Sequence, residues 1–136
     1  MEIPINWLAV LVAGVVNMIV GYLWYGPVFG KMWKELMGFT DESMNLMTMK
    51  PMTAMAYGFV VSLVMAYVLA HFAFTSGAID IMGALTLAFW VWLGFLATTS
   101  ISSYLWEGKP FKLFILNAVE QLVATSLMAI VLVLWS

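Results

Sequence analysis

Cysteine and arginine are absent from this 136-residue sequence, and histidine occurs once. The first absence excludes a disulfide framework, a thiolate nucleophile and a cysteine metal cluster, and a lone histidine cannot build a histidine-rich metal site. No metal and no other cofactor is expected. Charge is scarce as well: 9% of the residues are charged, five of these are lysines, and the formal net charge is −2. Scattered lysines at that density offer no basic surface to a phosphate backbone, so nucleic acid is not an expected partner. What is abundant is apolar. Hydrophobic residues make up 65% of the chain, against roughly 45–50% in soluble domains. A chain this short has too little interior to hide so much apolar surface from water, which excludes a water-soluble globule.

Four apolar stretches carry the excess: Ile5 to Tyr25, Met52 to Phe74, Ile79 to Ile101 and Phe111 to Trp135. Each has about the 20 residues a helix needs to cross a ~30 Å hydrocarbon core. None alternates in polarity as a barrel strand does, and a lone helix satisfies its own backbone in lipid. The expected fold is an all-α integral membrane domain over residues 1–136 with four transmembrane helices. The first stretch lacks the basic flank of a signal peptide and is read as retained. Lys31, Lys34 and Lys50 fall in the first connection, and Lys109 and Lys112 in the third. Lysine-rich short loops stay on the cytoplasmic side, so both termini are expected outside.

The first connection places Phe29, Met32, Trp33, Leu36 and Met37 at helical spacing, with Lys31, Lys34 and Glu35 elsewhere on the turn. That pattern predicts a short amphipathic helix over Phe29 to Gly38, lying in the membrane interface. Thr40-Asp41-Glu42-Ser43 reads as a turn or helix start, and Pro51 suits the first turn of the second span. Met44, Met47, Met49 and Met52 are read as flexible packing rather than as a soft-metal site.

A segment recurs. Tyr22-Leu23-Trp24-Tyr25-Gly26-Pro27-Val28-Phe29-Gly30-Lys31 closes the first span, and Tyr104-Leu105-Trp106-Glu107-Gly108-Lys109-Pro110-Phe111-Lys112 follows the third. One reading is a duplicated hairpin, with halves related by an axis along the membrane normal; the other is that interfacial chemistry, Trp and Tyr belts followed by Gly and Pro, produced the match twice. The same segments, with Asn17, Trp33, Leu113-Phe114 and Asn117, resemble a family of short prokaryotic four-span proteins catalogued only as a domain of unknown function. The resemblance covers nearly the whole chain and implies four helices in a bacterial or archaeal cytoplasmic (inner) membrane. It brings no activity, and the family pattern does not include an acidic residue at Glu120.

Small residues recur at four-residue spacing: Ala9, Ala13, Asn17 and Gly21 on the first span, Ala54, Gly58, Ser62, Ala66 and Ala70 on the second, and Gly94, Thr98 and Ser102 on the third. Such rows let helix backbones approach closely in lipid, which pairs the first two spans and leaves enough small surface for a homo-oligomer. On the fourth span Asn117, Glu120, Gln121, Ala124, Thr125 and Met128 share a face about 140° wide at ~100° per residue. Counting ~1.5 Å per residue puts Glu120, Asn17 and Ser62 roughly 12–20 Å deep, with Thr98, Thr99 and Asn117 slightly nearer the cytoplasm. A polar layer fed by all four spans is expected. An ionised carboxylate in lipid costs roughly 2.5–3.5 kcal/mol on insertion scales, and no intramembrane cation pairs with Glu120, so it must face protein or water or remain protonated.

Two functions stay open. One is a homo-oligomeric channel or carrier for a small ion or solute, with the polar layer as its path. The other is a non-catalytic module that binds lipid or a partner membrane protein, Glu120 serving as neutral interhelical glue. A cavity reaching Glu120 favours the first, and a dry, hydrogen-bonded Glu120 the second. Trp24, Tyr25, Trp33, Trp106, Glu107 and Lys109 are candidates for contact with lipid head groups. His71 is expected at the outer end of the second span, beside Asn6 and Trp7, and too shallow for the layer. Hydroxyls in Thr98-Thr99-Ser100 and Ser102-Ser103 have no evident base, so no enzyme is expected.

Overall fold

The computed structural model describes residues 4–40, 42 and 51–135. Helix α1 (Trp7–Leu23) starts at Asn6, whose side-chain oxygen accepts from the Leu8 and Ala9 amides, satisfying donors that a helix start leaves orphaned. It runs into a π-helical turn, Trp24–Val28, in which the Phe29 amide reaches the Trp24 carbonyl at 2.8 Å. Pro27 sits in that turn and has no N–H to donate, so the ordinary ladder cannot pass through it. Helix α2 (Gly30–Met37) follows. Its first residue must be glycine, because a Cβ there would lie 2.7 Å from the Tyr25 carbonyl oxygen.

Helix α3 (Pro51–Ser76) begins at a proline, as expected of a first helical turn. Helix α4 (Ile81–Val91) is capped by Asp80, which accepts from the Gly83 amide at 2.8 Å. It continues through a second π segment, Trp92–Ala97, and the short pieces Thr98–Ser100 and Ser102–Leu105. Helix α5 (Phe111–Leu134) is unbroken. Four stretches, Trp7–Val28, Met52–Ser76, Ile81–Leu105 and Phe111–Leu134, are long and apolar enough to cross a membrane, and among the described residues there is no strand. The protein is an all-α, four-span, multi-pass membrane protein. The third span extends to Leu105, beyond the expected Ile101.

Helix α5 is the axis of the bundle: 44% of its most apolar stretch is buried, against 17% to 28% in the other spans. Helix α1 packs on both α5 and α3, and α4 packs on α5. Small residues let this happen; Ala9, Ala13 and Ala66 of the expected rows are buried, whereas Ala54 and, on the third span, Gly94 and Thr98 are exposed. Ala9, Ala13, Ala66, Ala84, Ala88 and Ala129 are buried together with Leu69, Met128 and Leu132 in one apolar core. Gly14 is buried where α1 packs on α3: a Cβ there would meet Leu63 Cδ2 at 2.8 Å and stand 3.6 Å from the Leu63 backbone nitrogen. Asn6 ties the two ends of the chain by donating from Nδ2 to the Trp135 carbonyl (2.8 Å).

The amphipathic pattern after the first span forms α2. Lys31, Lys34 and Glu35 are exposed and Trp33, Leu36 and Met37 half-buried; Met32 departs from the pattern and is exposed. The two copies of the recurring segment differ locally: Trp24-Tyr25-Gly26 lies in a π turn, whereas Trp106-Glu107-Gly108 follows the end of a helix. Asp41, Ser43 and the methionines Met44, Met47 and Met49 lie outside the described residues.

Candidate functional site

Polar side chains collect in the half of the bundle nearer the lysine-bearing loops, and they pair across helices. Asn17 Nδ2 on α1 donates to Ser62 Oγ on α3 at 2.7 Å. Tyr25 Oη, in the first π turn, donates to Asn117 Oδ1 on α5 at 2.6 Å. Ser100 Oγ, just beyond the second π segment, donates to Gln121 Oε1 at 2.9 Å. All three spans that surround α5 thus contribute to one polar tier, and two of the three bonds end on α5.

Each π segment opens with a tryptophan that holds it against α5. Trp24 Nε1 donates to the Leu116 carbonyl at 3.2 Å, and Trp92 Nε1 to the Ala118 carbonyl at 2.8 Å. The two carbonyls flank Asn117. A π turn takes one residue more than an α turn, so each bulge turns the residues after it onto a new face while the indole fixes its place.

The expected face of α5 is the buried one: Glu120, Ala124, Thr125 and Met128 are buried and Asn117 and Gln121 half-buried. Glu120 retains 9% of its accessible surface. Asn17 and Gln121 make their bonds elsewhere, to Ser62 and Ser100, and among the described residues no group hydrogen-bonds the Glu120 carboxyl. Its Oε1 lies 4.0 Å from where a Gly21 Cβ would stand, so glycine keeps the space beside it open. Thr125 Oγ1 is fully buried and, among the described residues, has no hydrogen-bond partner.

Glu120 and Thr125 line a groove of about 1010 Å³ between α1 and α3, floored by α5. Asn17, Ser62 and Gln121 add the other polar atoms. The walls are apolar and rich in thioethers, among them Met18, Met52, Met55 and Met65. The small-residue rows explain the shape. They bring α1 and α3 together at Ala9, Ala13 and Ala66, and Asn17, Gly21, Gly58 and Ser62 of the same rows line the groove.

Two expected members of the polar layer are not in it. Thr98 Oγ1 donates to the Gly94 carbonyl (2.8 Å) and Thr99 Oγ1 to the Phe95 carbonyl (2.6 Å), both on an exposed face of their own helix. The π segment just before them carries one extra residue, and Ser100 takes the inward position. Tyr25 and Trp24, expected at the lipid interface, instead bond α5; the proline two or three residues on was the available sign of a broken ladder.

The other interface candidates divide. Trp106 is 84% exposed and Glu107 is exposed. Trp33 meets the Tyr25 ring edge-on at 5.7 Å. Lys109 Nζ donates to the Met37 carbonyl at 3.4 Å, where the last turn of α2 presents its unpaired oxygens; the two lysine-bearing connections therefore meet at one end of the bundle. His71 lies at the other end as expected. Its Nδ1 is 2.9 Å from the Tyr67 carbonyl, which can only accept, so this nitrogen carries the proton. Tyr67 in turn stacks on Trp7 at 5.4 Å.

No curated protein and no solved structure matches the chain. A family model described as "Protein of unknown function (DUF1761)" matches residues 8–133, which takes in all four spans, both recurring segments and the groove. The chain belongs to that family.

Proposed function

We propose that the protein is a non-enzymatic, homo-oligomeric channel or carrier for a small ion or solute, with Glu120 at its binding site. The observation that carries this reading is a groove of about 1010 Å³ that reaches a carboxyl with no hydrogen-bond partner among the described residues. Neutral interhelical glue would be bonded, as Asn17, Asn117 and Gln121 are. The hydroxyls that would have to act in an enzyme are committed: those of Thr98, Thr99, Ser102 and Ser103 bond carbonyls of their own helix, and that of Ser100 bonds Gln121.

One protomer supplies a groove rather than a closed path, and the first half of α3 is exposed, Met52, Met55 and Tyr57 included. A second copy lying along that face completes a path. A strictly monomeric mass in lipid removes this part of the reading. The site of action is the prokaryotic cytoplasmic membrane with both termini outside, supported by lysines in only two connections that meet at one end. A C-terminal reporter active only in the cytoplasm stays silent if this orientation is right.

In liposomes, flux of protons, sodium or potassium through the wild type is expected to fall to background in Glu120→Gln, with assembly unchanged. The amide keeps the shape and hydrogen-bonding capacity of the acid but cannot titrate or carry charge. The same exposed face of α3 favours a second reading, a module that binds lipid or a partner membrane protein. On that reading Glu120→Gln changes nothing, and a wild type that conducts nothing selects it.

A further inference from the structure

The groove limits the kind of solute that fits it. It runs beside α3 from Met52 to Met65, about 20 Å at ~1.5 Å per residue, and its rim residues Tyr22, Leu23 and Met52 are exposed. At its floor stands one carboxyl. The sequence has no arginine, and among the described residues no lysine or histidine lines the groove. Among the described residues no positive charge therefore stands against Glu120, and a ligand can supply one.

A small inorganic cation needs several oxygens to replace its water shell. Here one carboxyl supplies the only charged oxygens of the described lining; of the neutral ones Ser62 Oγ and Gln121 Oε1 already accept interhelical bonds and Thr125 Oγ1 is fully buried, which leaves Asn17 Oδ1 and the Tyr22 hydroxyl in an otherwise apolar groove. A cation whose charge is cloaked in apolar groups has little water to lose. It gains instead from apolar walls, from thioethers that repack around irregular shapes, and from the rings of Tyr22 and Phe59, whose faces attract positive charge. The volume is that of a site for a drug-sized molecule.

Resting on the carrier reading above, we infer that the ligand of the groove is a hydrophobic monovalent organic cation, its charged centre against Glu120 and its apolar body between α1 and α3. Gly21 and Gly58 are the positions that keep room for it. A Cβ at Gly58 would meet only the flexible end of Met18 at 3.8 Å, so a larger residue there projects into the groove rather than into packed backbone.

The test is equilibrium binding of tetraphenylphosphonium to the full chain in phosphatidylcholine nanodiscs. Saturable binding to the wild type is expected. Glu120→Gln is expected to weaken it on the order of 30-fold, the loss typical of removing one member of a desolvated charge pair. Glu120→Asp, which keeps the charge on a shorter arm, should bind more tightly than the amide and serves if the Gln variant assembles poorly. Gly58→Leu should block binding with the carboxyl intact. Neutral triphenylphosphine oxide should not compete.

Equal binding by wild type and Glu120→Gln, effective competition by the neutral analogue, or a co-purified phospholipid that tetraphenylphosphonium cannot displace each overturns the inference. Glu120-dependent flux of protons or metal ions without tetraphenylphosphonium binding overturns it while leaving the carrier reading in place. Saturable, Glu120-dependent binding without flux of any cation does the reverse.

Discussion

The two halves of the bundle are built by different physics. Toward the termini, α1, α3, α4 and α5 close on an apolar core of Ala9, Ala13, Ala66, Ala88, Met128 and Leu132, with α1 and α3 in near backbone contact at Gly14. Toward the lysine-bearing loops the same helices are linked by single hydrogen bonds, two are interrupted by π turns, and a groove lined by α1, α3 and α5 reaches Glu120. Between lipid-immersed helices the hydrophobic effect gives little drive, so close packing of small residues is what fixes the first half. In the second half hydrogen bonds set register while leaving space. One half is thus closed by packing of small side chains, and the other leaves a carboxyl unbonded among the described residues.

If that contrast is right, overpacking should be severe in one half and mild in the other. Gly14→Leu forces a side chain into Leu63, whose Cδ2 already lies 2.8 Å from an added Cβ. A destabilisation of about 1–3 kcal/mol is expected. Gly58→Leu faces the groove and should stay within about 0.5 kcal/mol of the wild type. Reversible unfolding in mixed micelles measures both, and equal losses would erase the distinction between the halves.

A smaller effect is expected at the groove wall. The bond from Asn17 to Ser62 joins α1 and α3 within the wall of the groove. Asn17→Leu should cost about 0.6–1.7 kcal/mol, the range for interhelical hydrogen bonds in membranes. Ser62 is 2% exposed and its hydroxyl loses its partner, so Ser62→Ala should restore part of the loss. Strict additivity in this double-mutant cycle would show that the pair does not join the two helices.

The closed half was legible in the sequence because its signal is local and periodic. Apolar runs of spanning length located the four helices, and four-residue rows such as Ala9, Ala13 and Asn17 named the packed face. The buried face of α5 was legible for the same reason, since α5 is unbroken and ~100° per residue holds along its whole length. The open half was not. Uniform angular counting fails across a π turn, and a third span with no proline gave no warning of one at Trp92. Trp-x-Gly opens both bulges, at Trp24-Tyr25-Gly26 and Trp92-Leu93-Gly94, but it also occurs at Trp106-Glu107-Gly108, where a helix simply ends, so the pattern alone does not specify a π turn.

The register shift at Trp92 gives the finest test of the contrast, because it decides which of two adjacent hydroxyls reaches α5. With the bulge, Ser100 donates to Gln121 at 2.9 Å and Thr99 to a carbonyl of its own helix. Ser100→Ala then removes an interhelical bond, and a loss of about 0.6 kcal/mol is expected. Thr99→Val removes a bond that does not join two helices, on an exposed face, and should be close to neutral. Straightening the third span into a regular α-helix would reverse the order, since one residue turns the inward face by ~100°. Unfolding of the two variants side by side therefore reads the bulge directly. A Thr99→Val variant less stable than Ser100→Ala would mean that Trp92 does not hold the turn against the Ala118 carbonyl in the membrane.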